Sequence, residues 1–169
     1  RVPVAAVAVV IAIEALVAAA TWWRVRRATQ VSAQELFVQV HVDIVLFTAK
    51  AYDLDSAMDA VAPAMAGRAV VLPLLNGISH LDALGARFGA GKVLGGVAYI
   101  ASTLAPDGEI QHLNEFHRIV FGPRAASQKA VCDAFSAALQ GVQVPVKFDW
   151  KQLDNVEQAM WDKWVLLAT

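Results

Sequence analysis

The first clear strand of this chain shows its apolar residues in a continuous block and not in alternation. "DIVLFTAK", residues 43–50, is such a block. It is β-rich throughout, as expected for a strand buried on both faces. "DLDSAMDAVAPAMAG" changes to a helical period, with Leu54, Met58 and Val61 on one face and Gly67 placed to close it. "RAVVLPL" reads as the next strand and "ISHLDALGARFG" as the next helix, with Ile78, Leu81 and Leu84 turned inward. "KVLGGVAYIAST" is a third strand. Strand–helix–strand–helix–strand predicts an α/β fold built on a parallel, doubly wound, Rossmann-like sheet.

The rhythm then breaks at "APDGEI", where Pro106, Asp107 and Gly108 supply turn chemistry. "EIQHL" and "RIVFG" flank "NEFH" and predict two short antiparallel strands, a hairpin extension of the sheet. "AASQKAVCDAFSAALQG" is helical, with Val131, Phe135 and Leu139 at i, i+4 and i+8. "VQVPVKF" predicts a last strand. Asp154 or Asn155 can cap a final helix, "NVEQAMWDKWVLLAT".

Residues 2–20 stand apart, because they are almost wholly apolar. A helix of about 20 such residues can span a bilayer, but Glu14 opposes that reading, since a mid-membrane carboxylate costs roughly 2.5–3.5 kcal/mol. A signal peptide and a buried strand plus helix are the other readings. Membrane association is not expected. No glycine precedes Gly67, so no G-x-G-x-x-G phosphate loop can lie before residue 43. The pattern divides into an atypical apolar segment over 1–42, the later part of a dinucleotide-binding domain over 43–150, and the start of a helical domain over 151–169. The chain opens on Arg1 and stops inside an apolar run, as a fragment would.

Composition narrows the function. The chain is 57% hydrophobic, and its net charge is −1, from 14 basic and 15 acidic residues. That balance gives no concentrated basic surface for nucleic acid. The single cysteine, Cys132, excludes an internal disulfide and fits a cytoplasmic setting. It lies in a helical pattern, where an inert core thiol is expected. His112 and His117 lie five apart around what reads as a short turn, with no cysteine or carboxylate pair to complete a metal site.

The candidate chemistry sits at strand ends. Ligands of open parallel sheets bind beyond the carboxyl ends of the strands. Lys50 ends the first clear strand and Asn76-Gly77 the second. Gly77 permits close backbone approach, and Asn76 offers two donors and an acceptor. The plainer reading, a simple turn and a solvated lysine, stays open. On a helical wheel Lys163 falls beside Val156, Met160 and Leu167. A lysine at the edge of an apolar face either snorkels to water or is held as a general acid with a lowered pKa. Trp161 and Trp164 read as packing residues of the same helix.

In order along the chain, "DIVLFTAKAYDL", "LPLLNGISHLD", "VLGGVAYIASTLAPDGEIQHL" and "NVEQAMWDKWVLLAT" resemble the motifs of the ketopantoate reductase (2-dehydropantoate 2-reductase) family. The resemblance implies reduction of a 2-keto acid by NADPH. It makes Lys163, in the Trp-x-Lys motif, the proton donor to the keto oxygen. Asn76 would contact substrate and cofactor, Lys50 and Gly77 would lie against the cofactor, and Ala101 would offer it backbone. No metal is implied. Leu166 and Leu167 stand where pantoate-making members tend to place an asparagine. The alternative is a non-catalytic module derived from the family. Exposed apolar side chains on the last helix, if the chain ends there, predict self-association into a homo-oligomer.

Overall fold

The computed structural model describes residues 43–140 and 149–169. The apolar segment over 1–42, with its candidate span, and the strand expected at "VQVPVKF" lie outside the described residues. The chain forms two compact units, Arg1–Leu72 and Pro73–Thr169.

In the first unit, β1 (Ile44–Phe47) and β2 (Val70–Pro73, its last residue opening the second unit) are hydrogen-bonded neighbours, and all eight of their residues are buried. Val70 N–H donates to the carbonyl of Asp43 at 3.0 Å, so the two strands start side by side and run parallel. Helix α1 (Leu54–Met65) connects them and buries Met58, Val61, Ala64 and Met65. Met58 and Val61 lie on the face expected from the sequence. Gly67 does not take the left-handed conformation of a closing glycine; the helix ends on Ala66 in ordinary αR geometry. Arg68 and Asp43 pair at 2.8 Å.

The second unit is a sheet of three strands in the order β3-β4-β5, covered by helices. β3 (Gly95–Leu104) and β4 (Ile110–Gly122) form the antiparallel hairpin. Its turn is the predicted one: Gly108 has φ +89° and donates to the Ala105 carbonyl, and Asp107 Oδ1 accepts from Glu109 N–H. The hairpin differs from expectation in two respects: its first strand is β3, expected as a third strand of the parallel sheet but here hydrogen-bonded antiparallel to β4, and the two short strands expected around "NEFH" are one long β4. The ladder with β3 is interrupted there, between the pairs Ile100–His117 and Ser102–His112, so the polar stretch is a bulge within the strand, which pattern alone cannot reveal. His112 and His117 therefore share a strand, with ring centroids 5.5 Å apart.

β5 (Asp149–Gln152) adds parallel to β4, with Arg118 beside Asp149 and Val120 beside Lys151. This short, polar strand carries no apolar signal of its own. One face of the sheet packs helix α3 (Lys129–Gln140) through a cluster of Phe121, Phe135 and Trp150, with centroids 5.1–6.3 Å apart. Cys132 is fully buried on α3, and burial pushes its thiol up to about 11, the inert core thiol expected.

The other face receives helix α4 (Val156–Ala168), capped as predicted by Asn155, whose side chain accepts from Gln158 N–H. Gly95 and Gly122 are paired across the hairpin. A Cβ on Gly95 would strike the Val156 side chain, and one on Gly122 the Leu153 carbonyl. These bare positions let the start of α4 sit directly on the sheet.

Helix α2 (His80–Phe88) begins two residues after the expected Ile78 and buries His80, Leu81 and Leu84. Near its end, Gln128 is 2% exposed and acts as a hub. Its Oε1 accepts from Arg124 and Ala125 N–H at 2.7 and 3.0 Å. Its Nε2 donates to the carbonyls of Ala90, Gly91 and Val93 at 3.4, 3.0 and 3.1 Å. Among the described residues, no helix is long and apolar enough to cross a membrane.

Candidate active site

The lysine on α4 decides where the site lies. Val156 and Met160 bury the start of its face against the sheet. Lys163 follows three positions after Met160, where that face runs past the sheet's edge, and it is half-buried. Its Nζ donates to Asn76 Oδ1 at 2.7 Å and to the Ala98 carbonyl at 2.5 Å. Nζ also stands 5.6 Å from the centre of the Tyr99 ring, on the same strand. The Tyr99 hydroxyl reaches back 3.5 Å to the Ala159 carbonyl of α4. Lys163 does not snorkel freely: three groups of the protein direct it. Burial lowers its pKa from the ordinary lysine value, which brings its proton within easier reach of a substrate oxygen.

Asn76 owes its place to the turn that the sequence marked. Gly77 has φ +80°, in the left-handed region that a side chain disfavours. This lets the chain leave β2 and enter α2 with Asn76 facing Lys163. A Cβ on Gly77 would lie 3.7 Å from the Trp164 ring, an ordinary contact, so conformation and not space requires glycine there.

A register break in the hairpin makes the third part of the site. Ile100 pairs with His117 and Ser102 with His112, so Ala101 alone faces residues 113–116 of β4. The excess residues form a bulge, which re-aims side chains as bulges commonly do. Asn114 Oδ1 accepts from Phe116 N–H at 3.1 Å and fixes its shape. Ala101 has no ladder partner in this register, which leaves its backbone available to another group.

These parts surround one cavity of ≈ 410 Å³, with Asn76, Ala101, Asn114, Phe116, Lys163 and Leu167 among its walls. That volume suits a small-molecule site. The structure thus gathers Asn76, Ala101 and Lys163, with Gly77 adjoining. Lys50 belongs to the first unit. There it is exposed, precedes a short 3-10 turn, and its carbonyl accepts from Asp53 N–H at 3.0 Å. Asn114, Phe116 and Tyr99 were not legible as site residues. The sequence marks "NEFH" as a break between two strands, and nothing in it shows that the break is a bulge facing a cavity. Among the described residues no cluster of three or more metal-ligating side chains occurs.

A sequence model described as ketopantoate reductase PanE/ApbA matches residues 14–126, more than half of the chain. The chain belongs to the ketopantoate reductase family. It is 33% identical to the uncharacterized oxidoreductase YkpB of Bacillus subtilis over 126 residues, which is 75% of this chain and 40% of that protein. A 2-dehydropantoate 2-reductase from Geobacter metallireducens is 25% identical, with a TM-score of 0.61, over 75% of this chain and 40% of that one. A PanE/ApbA family ketopantoate reductase from Ralstonia eutropha is 33% identical, with a TM-score of 0.52, over 72% and 37%. The chain therefore spans about 40% of the length of these ketopantoate reductase relatives. Lys163 lies beyond the residues that the family model matches, and its meeting with Asn76 is a finding of the structure.

Proposed function

We propose that this chain carries the catalytic edge of an NADPH-dependent reductase of 2-keto acids of the 2-dehydropantoate type, with Lys163 as proton donor. The observation that carries the reading is the Lys163 ammonium, half-buried in a cavity wall and held by Asn76 and the Ala98 carbonyl. The residues fit the nicotinamide end of such a cofactor. Asn76 can both donate and accept toward a carboxamide, and Ala101 has backbone free of the ladder. When bound, the reduced nicotinamide supplies a hydride to the keto carbon.

The chain's own part is to bind, orient and protonate. Asn76 and the Ala98 carbonyl aim Nζ; Tyr99 braces it from the side. The lysine's charge stabilises negative charge as it grows on the keto oxygen, and its proton then passes to that oxygen. The 2-keto acid becomes a 2-hydroxy acid, and the neutral amine regains its proton from water. Lys50 and Gly77 are proposed cofactor contacts.

The test is NADPH binding to the 169-residue chain by nicotinamide fluorescence, followed by NADPH oxidation on adding 2-dehydropantoate. Asn76→Ala is expected to weaken binding. Lys163→Met is expected to slow oxidation by roughly 10²–10⁴-fold, the usual worth of a general acid. Absence of NADPH binding would overturn the reading. It would favour a non-catalytic module, the alternative supported by the lack of any glycine before Gly67.

A further inference from the structure

We propose that Asn76 is a site of self-modification: Lys163 promotes closure of the Asn76 side chain onto the Gly77 nitrogen, and water then leaves an aspartate or isoaspartate whose charge silences the lysine. This reaction is separate from the proposed reduction and needs neither NADPH nor a keto acid.

The chain has three asparagines, at 76, 114 and 155, and only Asn76 precedes a glycine. Its surroundings suit ring closure. Gly77 has no side chain to shield its nitrogen, and its N–H donates to no group among the described residues. Asn76 is exposed, so water reaches it. Lys163 Nζ stands 2.7 Å from Asn76 Oδ1. An ammonium only donates, so the amide oxygen faces it and Nδ2, the leaving group, stays outside that contact. The other two asparagines lack this setting. Asn114 Oδ1 is engaged by Phe116 N–H and Asn155 Oδ1 by Gln158 N–H, and the residues that follow them are Glu115 and Val156.

The reaction balances with water as its only other reactant. Gly77 N gives its proton to water and attacks Asn76 Cγ. Negative charge collects on Oδ1, where the Lys163 ammonium stabilises it as a donor in an oxyanion hole does. The Cγ–Nδ2 bond then breaks, and ammonia leaves after taking a proton back from water. A water molecule adds to either carbonyl of the succinimide and opens it, giving aspartate or isoaspartate. Nothing is oxidised or reduced, and both products are anionic. An anion at position 76 beside Lys163 holds the proton on the lysine, and the amide donor of Asn76 is gone.

Peptide mapping by mass spectrometry, on the 169-residue chain aged in warm, mildly alkaline buffer, tests this. Residue 76 is followed in the folded chain, in the same chain unfolded by urea, and in Lys163→Met. The expected result is conversion of Asn76 to aspartate and isoaspartate while Asn114 and Asn155 stay intact. Conversion should be faster in the folded chain than in urea, and slower by roughly tenfold or more in Lys163→Met. Conversion no faster in the folded chain than in urea, or unchanged by Lys163→Met, overturns promotion by the lysine. If Lys163→Met does not fold, the parent chain against its urea-unfolded form decides alone. Silencing is read on Asn76→Asp by trace acetylation, which reports the fraction of neutral amine at each lysine. Labelling of Lys163 should fall by roughly tenfold or more against the parent chain, with the other lysines as internal standards. Undiminished labelling overturns the silencing.

Discussion

His80 is the first residue of α2, three positions beyond Gly77, and it is only 2% exposed. Its Nε2 has no hydrogen-bond partner among the described residues. Burial, and then the nearby Arg124 guanidinium, hold its pKa down to about 4 from an ordinary 6.5. The folded chain thus keeps this imidazole neutral where the unfolded chain would protonate it. A lowered histidine pKa means stability that is complete above about pH 6.5 and is lost as pH falls through about 4. At about 1.4 kcal/mol for each tenfold change in proton affinity, the ceiling is roughly 3 kcal/mol, of which about 2 kcal/mol is gone by pH 5. The assay is urea unfolding followed by tryptophan fluorescence at about pH 7.5 and about pH 5. His80→Met has similar volume and cannot titrate. It should lose about 2 kcal/mol less than the parent chain between the two conditions. Equal losses in both would falsify the reasoning, and acid sensitivity would then belong to the carboxylates. Because α2 begins where the Asn76 loop ends, the same acidification should loosen the element that presents Asn76 to Lys163.

Two further perturbations address how the second unit is held. Gln128→Glu replaces a buried donor facing three carbonyls with a carboxylate; it should cost about 3 kcal/mol, more than Gln128→Ala, and recover in part at low pH where the acid can donate, as read by urea midpoints. Gly95→Ala drives a methyl into the fully buried Val156 side chain; it should cost about 1–3 kcal/mol by thermal unfolding, and Val156→Ala in the same chain should relieve much of it.

What the sequence determined by itself is local. Continuous apolar blocks marked β1 and β2, whose residues are all buried, because a strand covered on both faces must be apolar at every position; β3 carried the same pattern, but only its first three residues are buried. Proline, aspartate and glycine at 106–108 marked the hairpin turn, and Asn155 marked a helix start, because backbone geometry at those points depends on the residues present. The stop of the second strand at Asn76-Gly77 and the edge position of Lys163 were also visible, though neither said what the residue meets.

The tertiary structure decided the meetings. Asn76 and Lys163 lie 87 positions apart and touch only because α4 crosses the sheet where Gly95 and Gly122 leave room. The run "DWKQ" joins the sheet as β5 because β4 supplies the hydrogen bonds that its own side chains do not announce, and "NEFH" carries β4 through a bulge between the pairs Ile100–His117 and Ser102–His112. His80 carried no sign of burial, since a polar residue at a helix start ordinarily faces water. The bulge that brings Ala101, Asn114 and Phe116 to the cavity is a mismatch in register between β3 and β4. A register is a relation between two strands, so neither strand's own pattern can contain it.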